Sequence, residues 1–212
     1  MNIILIAPPA GGKGTQSKMI CSSYNLAHIS TGDLLRMEVA RGNDELANIM
    51  NSGKLVSDEI VLKLIDEYIS NNVSLNGFLF DGFPRNIAQA EKLNDILGKY
   101  DKKIDYVILL DIDKDLASKR ISGRISCPNC GASYNIYFDS MKPKNDGLCD
   151  KCGNKLASRE DDNQETYAKR YETYLESTKP LLDFYKDVLY TIDASKTPEE
   201  TFKQIKDIVE VI

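Results

Sequence analysis

The segment that most constrains the fold is the N-terminal run IILIAPPAGGKGT, residues 3–15. Ile3–Ile6 has the β-branched, apolar character of a buried parallel strand. Two prolines and two glycines then turn the chain, and beyond Gly14 no glycine or proline follows for several residues. A strand, a glycine-rich turn and a helix N-terminus together form an anion site, because unpaired backbone N–H groups and the helix dipole face the ligand. The segment therefore predicts a nucleotide-phosphate loop.

Two side chains of this loop have the chemistry that a nucleotide site needs. Lys13 supplies a point charge for terminal phosphates, and Thr15 offers a hydroxyl to Mg²⁺. The pattern departs from G-x-x-x-x-G-K-[ST], because Ala7 stands at the first glycine and Gly14 separates the lysine from the threonine. Ala10 adds a Cβ, so a positive φ at this residue would be strained. The alternative interpretation is an ordinary strand-to-helix turn with a chance lysine.

Strand-like apolar runs recur along the chain with helical segments between them. The runs are Ile3–Ala7, Gly77–Asp81, Tyr106–Asp111 and Leu189–Asp193. This alternation predicts a parallel sheet with helices on both faces. The terminal aspartates of the second and third runs would lie at the carboxyl edge of the sheet, where open α/β folds bind ligands. Ser57 and Thr197 are predicted helix N-caps.

Composition limits the classes of function. Charged residues are 28% and hydrophobic residues 42% of the 212 residues, as in soluble globular proteins. No apolar run approaches the roughly 18 residues of a membrane helix, and no basic stretch precedes the first strand, so we expect a cytoplasmic protein without a membrane partner. The net charge of −5 argues against nucleic acid as a partner. A single histidine makes imidazole acid–base catalysis improbable, and a phosphate site must depend on local arginines.

Four cysteines form two C-x2-C pairs on either side of residues 131–148. The pairs are Cys127 with Cys130 and Cys149 with Cys152. This spacing predicts a tetrahedral Cys₄ zinc site, and its closed coordination shell leaves no position for an activated water. The predicted role is structural, since the polar segment around the cysteines is too small to bury a core. The alternatives are two disulfides, free thiols, or a zinc ribbon that binds nucleic acid; acidic residues in the segment offset its lysines.

Six arginines lie beside glycine turns or flank the cysteine-rich segment. They are Arg36, Arg85, Arg120, Arg124, Arg159 and Arg170. A guanidinium group binds phosphate bidentately and keeps its charge at any working pH. A single surface arginine is usually solvated, but six in such positions favour a site for several phosphoryl groups.

Together these motifs resemble the adenylate kinase family, specifically its zinc-lid form, over essentially the whole length of the chain. The motifs that carry the resemblance are the phosphate loop, STGDLLR, GKLVSDE, LFDGFPR, RISGR, the Cys₄ insertion and REDD. The resemblance implies an α/β fold whose CORE is a P-loop parallel sheet flanked by helices, at residues 1–29, 57–122 and 163–212. It further implies an inserted helical NMP-binding segment at residues 30–56 and an inserted small zinc-ribbon-like β LID at residues 123–162.

The resemblance also implies the activity, which is reversible Mg²⁺-dependent phosphoryl transfer from ATP to AMP giving two ADP. The partners would be ATP, AMP and ADP, and the protein would act as a monomer. Such a transition state is loose, so the protein supplies position and charge rather than a nucleophile. Lid closure would exclude water from the reacting phosphates.

Roles are carried over from the family to matching positions. The implied ATP site is Ala10, Gly11, Gly12, Lys13, Gly14, Thr15, Arg120, Arg124, Ser133, Tyr134 and Lys196. The implied AMP site is Thr31, Arg36, Lys54, Leu55, Val56, Gly82, Phe83, Pro84, Arg85, Gln89, Arg159 and Arg170. The implied catalytic charges are Lys13, Arg85, Arg120, Arg124, Arg159 and Arg170, and Asp81 would hold Mg²⁺ through water.

Two other functions remain open. A UMP/CMP kinase of the same fold is one, although Thr31 and Gln89 favour AMP as the acceptor. The other is a nucleotide-binding regulatory switch that carries a zinc ribbon for partners. Such a switch would not need the DGFPR acceptor motif or arginines at both hinges of the insertion.

Ile125 and Asn135 depart from the residues usual at these positions in the family, and these departures concern ATP affinity more than the reaction class.

Overall fold

A five-stranded parallel sheet forms the centre of the molecule, which a computed structural model describes at residues 1–51, 56–158 and 162–210. The strands are β1 (Ile3–Ile6), β2 (Ala27–Ser30), β3 (Phe78–Asp81), β4 (Tyr106–Asp111), β5 (Arg124–Ser126), β6 (Ser133–Asn135) and β7 (Leu189–Asp193). The central sheet has the order β2-β3-β1-β4-β7. The parallel sheet predicted from the four apolar runs is confirmed, and β2, a short run with polar residues, is an additional edge strand.

Helices cover the sheet. They are α1 (Lys13–Tyr24), α2 (Thr31–Ala40), α3 (Asp44–Asn51), α4 (Asp58–Asn71), α5 (Ile87–Gly98), α6 (Lys114–Ser122), α7 (Gln164–Phe184) and α8 (Pro198–Val209), with 3₁₀ turns at Asp139–Met141 and Lys186–Val188. Both predicted caps are confirmed: Ser57 accepts a hydrogen bond from the Ile60 amide, and Thr197 forms a capping box with Glu200. Within the described ranges, no helix combines the length and the apolar character needed to cross a membrane.

The alternating side chains of β1 serve two separate cores. Ile4 and Ile6 pack with Phe80 on one face, whereas Ile3 and Leu5 pack with a second cluster on the other face. Helices cover both faces, so the strand is apolar at every position rather than at every second one. Burial of each such side chain contributes about 1.5–3 kcal/mol to stability.

The order of the strands fixes the place of the ligand site. The chain passes from β1 to the edge strand β2, returns to β3 beside β1, and then crosses to β4 on the other side of β1. The connections therefore diverge from the carboxyl end of β1. In open α/β sheets the crevice at such a switch point receives the ligand. Residues 7–12 lie at this crevice, between β1 and α1.

The cysteine-rich insertion, residues 123–158, follows α6 and forms a unit of its own. Its strands β5 and β6 pair antiparallel, and a bridge from Ser126 to Ala157 adds a third segment. Its buried apolar cluster is small and consists of Cys127, Ala132, Tyr134 and Cys149. We expect so little apolar burial to be insufficient for independent stability.

Candidate active site

The phosphate loop takes two left-handed backbone conformations. Ala10 has φ 63° and Gly12 has φ 86°. The strain foreseen for a positive φ at Ala10 is therefore present, and Gly12 rather than Gly11 is the second left-handed residue. Gly11 is needed for a different reason: a Cβ there would lie 3.0 Å from both the Ala7 Cβ and the Pro8 carbonyl oxygen. The Gly11 amide donates to that same carbonyl at 2.9 Å.

Helix α1 begins without a side-chain cap. Gly12 is its N-cap residue and provides no capping group, and the first turn contains no acidic side chain. A Cβ built on Gly12 or Gly14 would meet no atom of the described residues within 4 Å, so none of these residues fills the space beside the two glycines. The first amides of α1 and its dipole are therefore accessible to an anion.

Asp81 is the centre of a polar network at the carboxyl end of β3. Its Oδ1 lies 2.9 Å from Lys13 Nζ, and its Oδ2 lies 3.1 Å from His28 Nε2 and 3.2 Å from Ser17 Oγ. Burial opposes ionisation of this carboxyl, but the hydrogen bond from His28 and the charge of Lys13 outweigh it and lower its pKa far below the usual range. Asp81 is thus held as a carboxylate next to the phosphate loop.

Sequence reasoning paired Lys13 and Asp81 with one nucleotide but did not find His28 or Ser17. His28 lies two residues before Ser30, the residue that pairs with Asp81 in the parallel register. A two-residue spacing puts His28 on the same sheet face as Asp81. The register of β2 against β3 is known only from the structure, so no local sequence pattern indicated His28. Ser17 is fully buried on α1, and only the packing of α1 on β3 brings it to Asp81.

Arg120 lies between the loop after β7 and the insertion. Its guanidinium donates to the carbonyl oxygens of Ala194, Ser195 and Lys196 at 2.8, 3.1 and 3.2 Å. The same group lies 5.8 Å from the centre of the Phe138 ring. Partial burial lowers the pKa of Arg120. The structure thus brings Arg120 together with the backbone of Lys196, two residues predicted to serve one nucleotide.

Arg124 begins β5 and forms a bidentate ion pair with Asp162. Its Nε lies 2.7 Å from Oδ2, and a terminal nitrogen contacts Oδ1. The Asp162 side chain is only 2% exposed, so this contact at the start of the insertion is largely withdrawn from water. Arg159 lies outside the described residues, and Arg170 lies on α7.

The insertion reaches the first helix of the sheet domain. Lys18 Nζ on α1 donates to the Gly131 carbonyl oxygen at 2.7 Å. Ser133 is exposed at the start of β6. Tyr134, the next residue, is buried and turned into the cysteine cluster, so its ring is not available to a nucleotide in this arrangement.

The predicted acceptor motif DGFPR continues from β3. Gly82 has φ 76°, and a Cβ there would lie 3.5 Å from Lys13 Nζ. Phe83 and Pro84 are buried and joined by a cis peptide bond. Arg85 is exposed, and its Nε donates to the Gly82 carbonyl oxygen at 3.0 Å. The motif therefore presents backbone and guanidinium beside the phosphate loop.

Gln89 is held at both ends of its amide. Its Oε1 accepts from the Arg85 amide at 2.7 Å, and its Nε2 donates to Asp58 Oδ1 at 2.7 Å. Thr31 is the first residue of α2, and Arg36 on the same helix pairs with Asp33. Of the remaining predicted acceptor residues, Val56 is half-buried just before α4, while Lys54 and Leu55 lie outside the described residues.

The four predicted metal ligands converge. The Sγ atoms of Cys127, Cys130, Cys149 and Cys152 all lie within 4.8 Å of one another. The Cys127–Cys152 and Cys130–Cys149 sulfur separations are 3.4 and 3.5 Å, far longer than a disulfide bond, so the four residues form no disulfide in this structure. Ligands about 2.3 Å from a tetrahedral zinc would be separated by about 3.8 Å, so this donor set fits the ion.

Each cysteine pair closes a tight turn. The amides of Gly131 and Gly153 donate to the carbonyl oxygens of Cys127 and Cys149 at 2.9 and 2.8 Å. Tyr134 completes the surroundings: its hydroxyl lies 3.5 Å from the Cys149 Sγ and accepts from the Asp150 amide at 2.8 Å. The hydrogen bond from this hydroxyl lowers the pKa of Cys149, which favours the thiolate that a metal requires.

The parallel sheet, the loop at its switch point and the open N-terminus of α1 define a P-loop fold of the α/β class with a candidate nucleotide site. A family model described as "Adenylate kinase" matches residues 5–189. The chain belongs to the adenylate kinase family.

Individual relatives agree with this assignment over their full length. The adenylate kinase of Clostridium tetani (strain Massachusetts / E88) is 41% identical over 217 aligned residues, which cover 100% of both chains. That of Archaeoglobus fulgidus is 42% identical and covers 100% of this chain and 99% of its own. That of Kosmotoga olearia is 43% identical and covers 98% of this chain and 100% of its own.

Proposed function

We propose that this chain catalyses reversible phosphoryl transfer from MgATP to AMP, giving two ADP. The observation that carries the proposal is the contact between Lys13 and Asp81, 2.9 Å apart at the open N-terminus of α1. A cation for phosphate and a carboxylate for Mg²⁺ meet there at the switch point of the sheet. The full-length similarity to proteins named adenylate kinase supports the same reaction.

We assign the donor nucleotide to the phosphate loop and the hinge of the insertion. The proposed ATP-binding residues are Ala10, Gly11, Gly12, Lys13, Gly14, Thr15, Arg120, Arg124, Ser133, Tyr134 and Lys196. Tyr134 would take part through its backbone, because its ring is turned into the cysteine cluster. Lys13 would leave Asp81 for the phosphates, and Asp81 would then be free to accept from Mg²⁺-bound water. Bound Mg²⁺ would supply charge neutralisation for the ATP phosphates.

We assign the acceptor nucleotide to α2 and the DGFPR turn. The proposed residues are Thr31, Arg36, Lys54, Leu55, Val56, Gly82, Phe83, Pro84, Arg85, Gln89, Arg159 and Arg170. Phe83 and Pro84 would contribute shape and backbone, since both side chains are buried. Gln89 would exchange its hydrogen bond with Asp58 for one to the base.

The proposed domains follow these assignments. Residues 1–29, 57–122 and 163–212 would form the CORE, residues 30–56 the NMP-binding insertion and residues 123–162 the LID. Closing the LID would bring Arg124 to the transferring group and exclude water. We further propose that the four cysteines hold one structural zinc ion. We infer a cytoplasmic monomer that acts on free nucleotides without a nucleic-acid or membrane partner.

The function is tested by an ADP-formation assay with ATP alone and with AMP, UMP, CMP or GMP. We expect AMP to be preferred by at least about 10²-fold in kcat/KM, because a site whose polar groups are built for one base leaves them unpaired with another. Gln89→Ala should reduce this preference, whereas Arg85→Ala should weaken all four acceptors alike, since its guanidinium would contact only phosphate.

Each other outcome has a definite meaning. Comparable rates with UMP or CMP would place the chain among the pyrimidine nucleotide kinases. ATP binding without any NMP-dependent turnover would favour the regulatory-switch function instead.

A further inference from the structure

Asp81, the carboxylate proposed to hold Mg²⁺, accepts hydrogen bonds from more side chains than the assignments above explain. Lys13 contacts Asp81 Oδ1, while His28 and Ser17 both contact Oδ2. Two of these donors, His28 and Ser17, have no role in the assignments above. The Asp81 side chain is only 15% exposed, so these contacts are partly shielded from water.

The fold brings together the side chains of Asp81 on β3, His28 on β2 and Ser17 on α1. β2 and β3 are parallel with Ser30 opposite Asp81, which places His28 on the same face two residues earlier. Ile29 and Phe80, on the alternate positions, face the opposite core cluster. Helix α1 covers the first face and supplies the fully buried Ser17. The arrangement is therefore fixed by strand register and helix packing.

The two carboxylate oxygens of Asp81 have different partners, and these partners differ in whether ATP binding would draw them away. Lys13 is the residue assigned to the ATP phosphates, so its contact with Oδ1 is exchangeable. His28 and Ser17 have no phosphate to move to, so their contacts with Oδ2 persist when Lys13 leaves. Rotation of an aspartate carboxylate about χ2 is soft, and donors on one oxygen therefore decide where the other oxygen points.

We propose that His28 and Ser17 are positioning residues that fix Asp81 Oδ2 so that Oδ1 is presented to Mg²⁺-bound water. The inference rests on the proposed MgATP site and assigns it two residues on β2 and α1. A carboxylate oxygen is the ligand type that Mg²⁺ prefers, and partners of a metal's carboxylate contribute strongly to metal affinity. His28 acts as a hydrogen-bond donor through Nε2.

The first test uses ATP binding measured by calorimetry, with Mg²⁺ and with EDTA. For His28→Phe we expect the Mg²⁺-dependent gain in ATP affinity to fall by about 10-fold, while affinity in EDTA stays near that of the parent. His28→Gln should keep most of the gain, because its amide Nε2 can replace the imidazole donor. Ser17→Ala, a small change at a buried position, should lower the gain in the same direction.

The second test needs neither metal nor nucleotide. The chain has one histidine, so its ring nitrogen signals in an NMR spectrum of the free protein belong to His28. We expect Nε2 to carry a proton, with a signal displaced by Asp81→Asn. An Nε2 without a proton would overturn the proposal, because the ring could not donate to Asp81.

Two binding results would also overturn it. One is an unchanged Mg²⁺ gain in both His28→Phe and Ser17→Ala. The other is an equal loss of the Mg²⁺ gain in His28→Gln and His28→Phe, with both variants unfolding at the parent's temperature. That result would show that the gain does not depend on a hydrogen bond from residue 28. A parent protein that binds MgATP but does not phosphorylate AMP would contradict the proposed function and leave this comparison valid.

Discussion

At the scale of single residues, the phosphate loop holds backbone strain that a glycine would relieve. Ala10 adopts φ 63°, a conformation that costs a residue with a Cβ about 1–2 kcal/mol. The neighbouring left-handed position, Gly12, has no such cost. The strain is local and lies in the segment that we propose wraps the ATP phosphates.

We predict that Ala10→Gly raises the free energy of unfolding by about 0.5–1 kcal/mol, since relief of strain exceeds the added chain entropy of glycine. Urea unfolding of the free protein measures this. The matched control is Ala7→Gly, whose backbone is not left-handed and whose Cβ packs against the second core cluster. That control should lose stability, and a loss in both variants would refute strain at Ala10.

Arg124 is a residue whose present partner is a carboxylate. In this structure the ion pair with Asp162 holds the guanidinium at the start of the insertion. Its proposed partner during the reaction is the transferring phosphoryl group. Both partners are anions that a guanidinium can bind bidentately, so one side chain can serve the two arrangements.

Arg124→Ala should lower kcat by roughly 10²–10³, the cost of losing one preorganised donor to a transition state. The ADP-formation assay with ATP and AMP gives this value. Arg41→Ala is the matched control, because Arg41 is exposed on the surface and pairs only loosely with Glu38 at 3.5 Å. A rate for Arg124→Ala within threefold of the control would contradict the assigned role.

At the scale of elements, a side-chain hydrogen bond joins the capped start of α8 to α1, the helix that follows the phosphate loop. Thr197 and Glu200 exchange hydrogen bonds at its first turn, with Pro198 at the first helical position. The Pro198 carbonyl oxygen accepts from Gln16 Nε2 on α1 at 2.9 Å. This hydrogen bond joins the start of α8 to the helix whose N-terminus is the proposed anion site.

Thr197→Ala should lower the free energy of unfolding by about 1 kcal/mol, because the Glu200 amide loses its capping acceptor. Thr197→Ser is the matched control and should remain within a few tenths of a kcal/mol of the parent, since serine caps at least as well. Urea unfolding curves of the three proteins decide the matter. Equal stability of the alanine and serine variants would show that the cap contributes nothing.

At the scale of the whole molecule, stability is unevenly distributed. The two large core clusters surround the central sheet, whereas the cysteine-rich insertion has four buried residues in its cluster, two of them cysteines. Its remaining order depends on tight turns and, in our proposal, on a metal ion. Metal loss should therefore unfold the insertion before the sheet domain.

Cys130→Ser should abolish bound zinc and lower the unfolding temperature, while the rate at low temperature falls less, because no group that contacts nucleotide is removed. Metal analysis after dialysis measures the bound zinc, thermal unfolding measures the unfolding temperature, and the ADP-formation assay with ATP and AMP measures the rate. Cys21→Ser, a half-buried thiol on α1 outside the cluster, is the matched control and should retain one zinc per chain. A parent protein without zinc would refute the proposed ion.

The sequence by itself determined the elements with local causes. Apolar runs gave the strands β1, β3, β4 and β7, side-chain caps gave the starts of α4 and α8, and C-x2-C spacing gave the cysteine cluster. Each depends on residues that are neighbours in the chain, so periodicity and spacing reveal it. The nucleotide assignments of single residues came from the family resemblance and stay predictions.

Only the tertiary structure decided the contacts between distant segments. Strand register put His28 beside Asp81, and helix packing put Ser17 there. The packing of β6 likewise placed the Tyr134 ring in the cysteine cluster. Gln89 likewise proved to be held by Asp58, a residue on another helix. Such contacts depend on which elements become neighbours in space, and no local pattern in a single sequence encodes that choice.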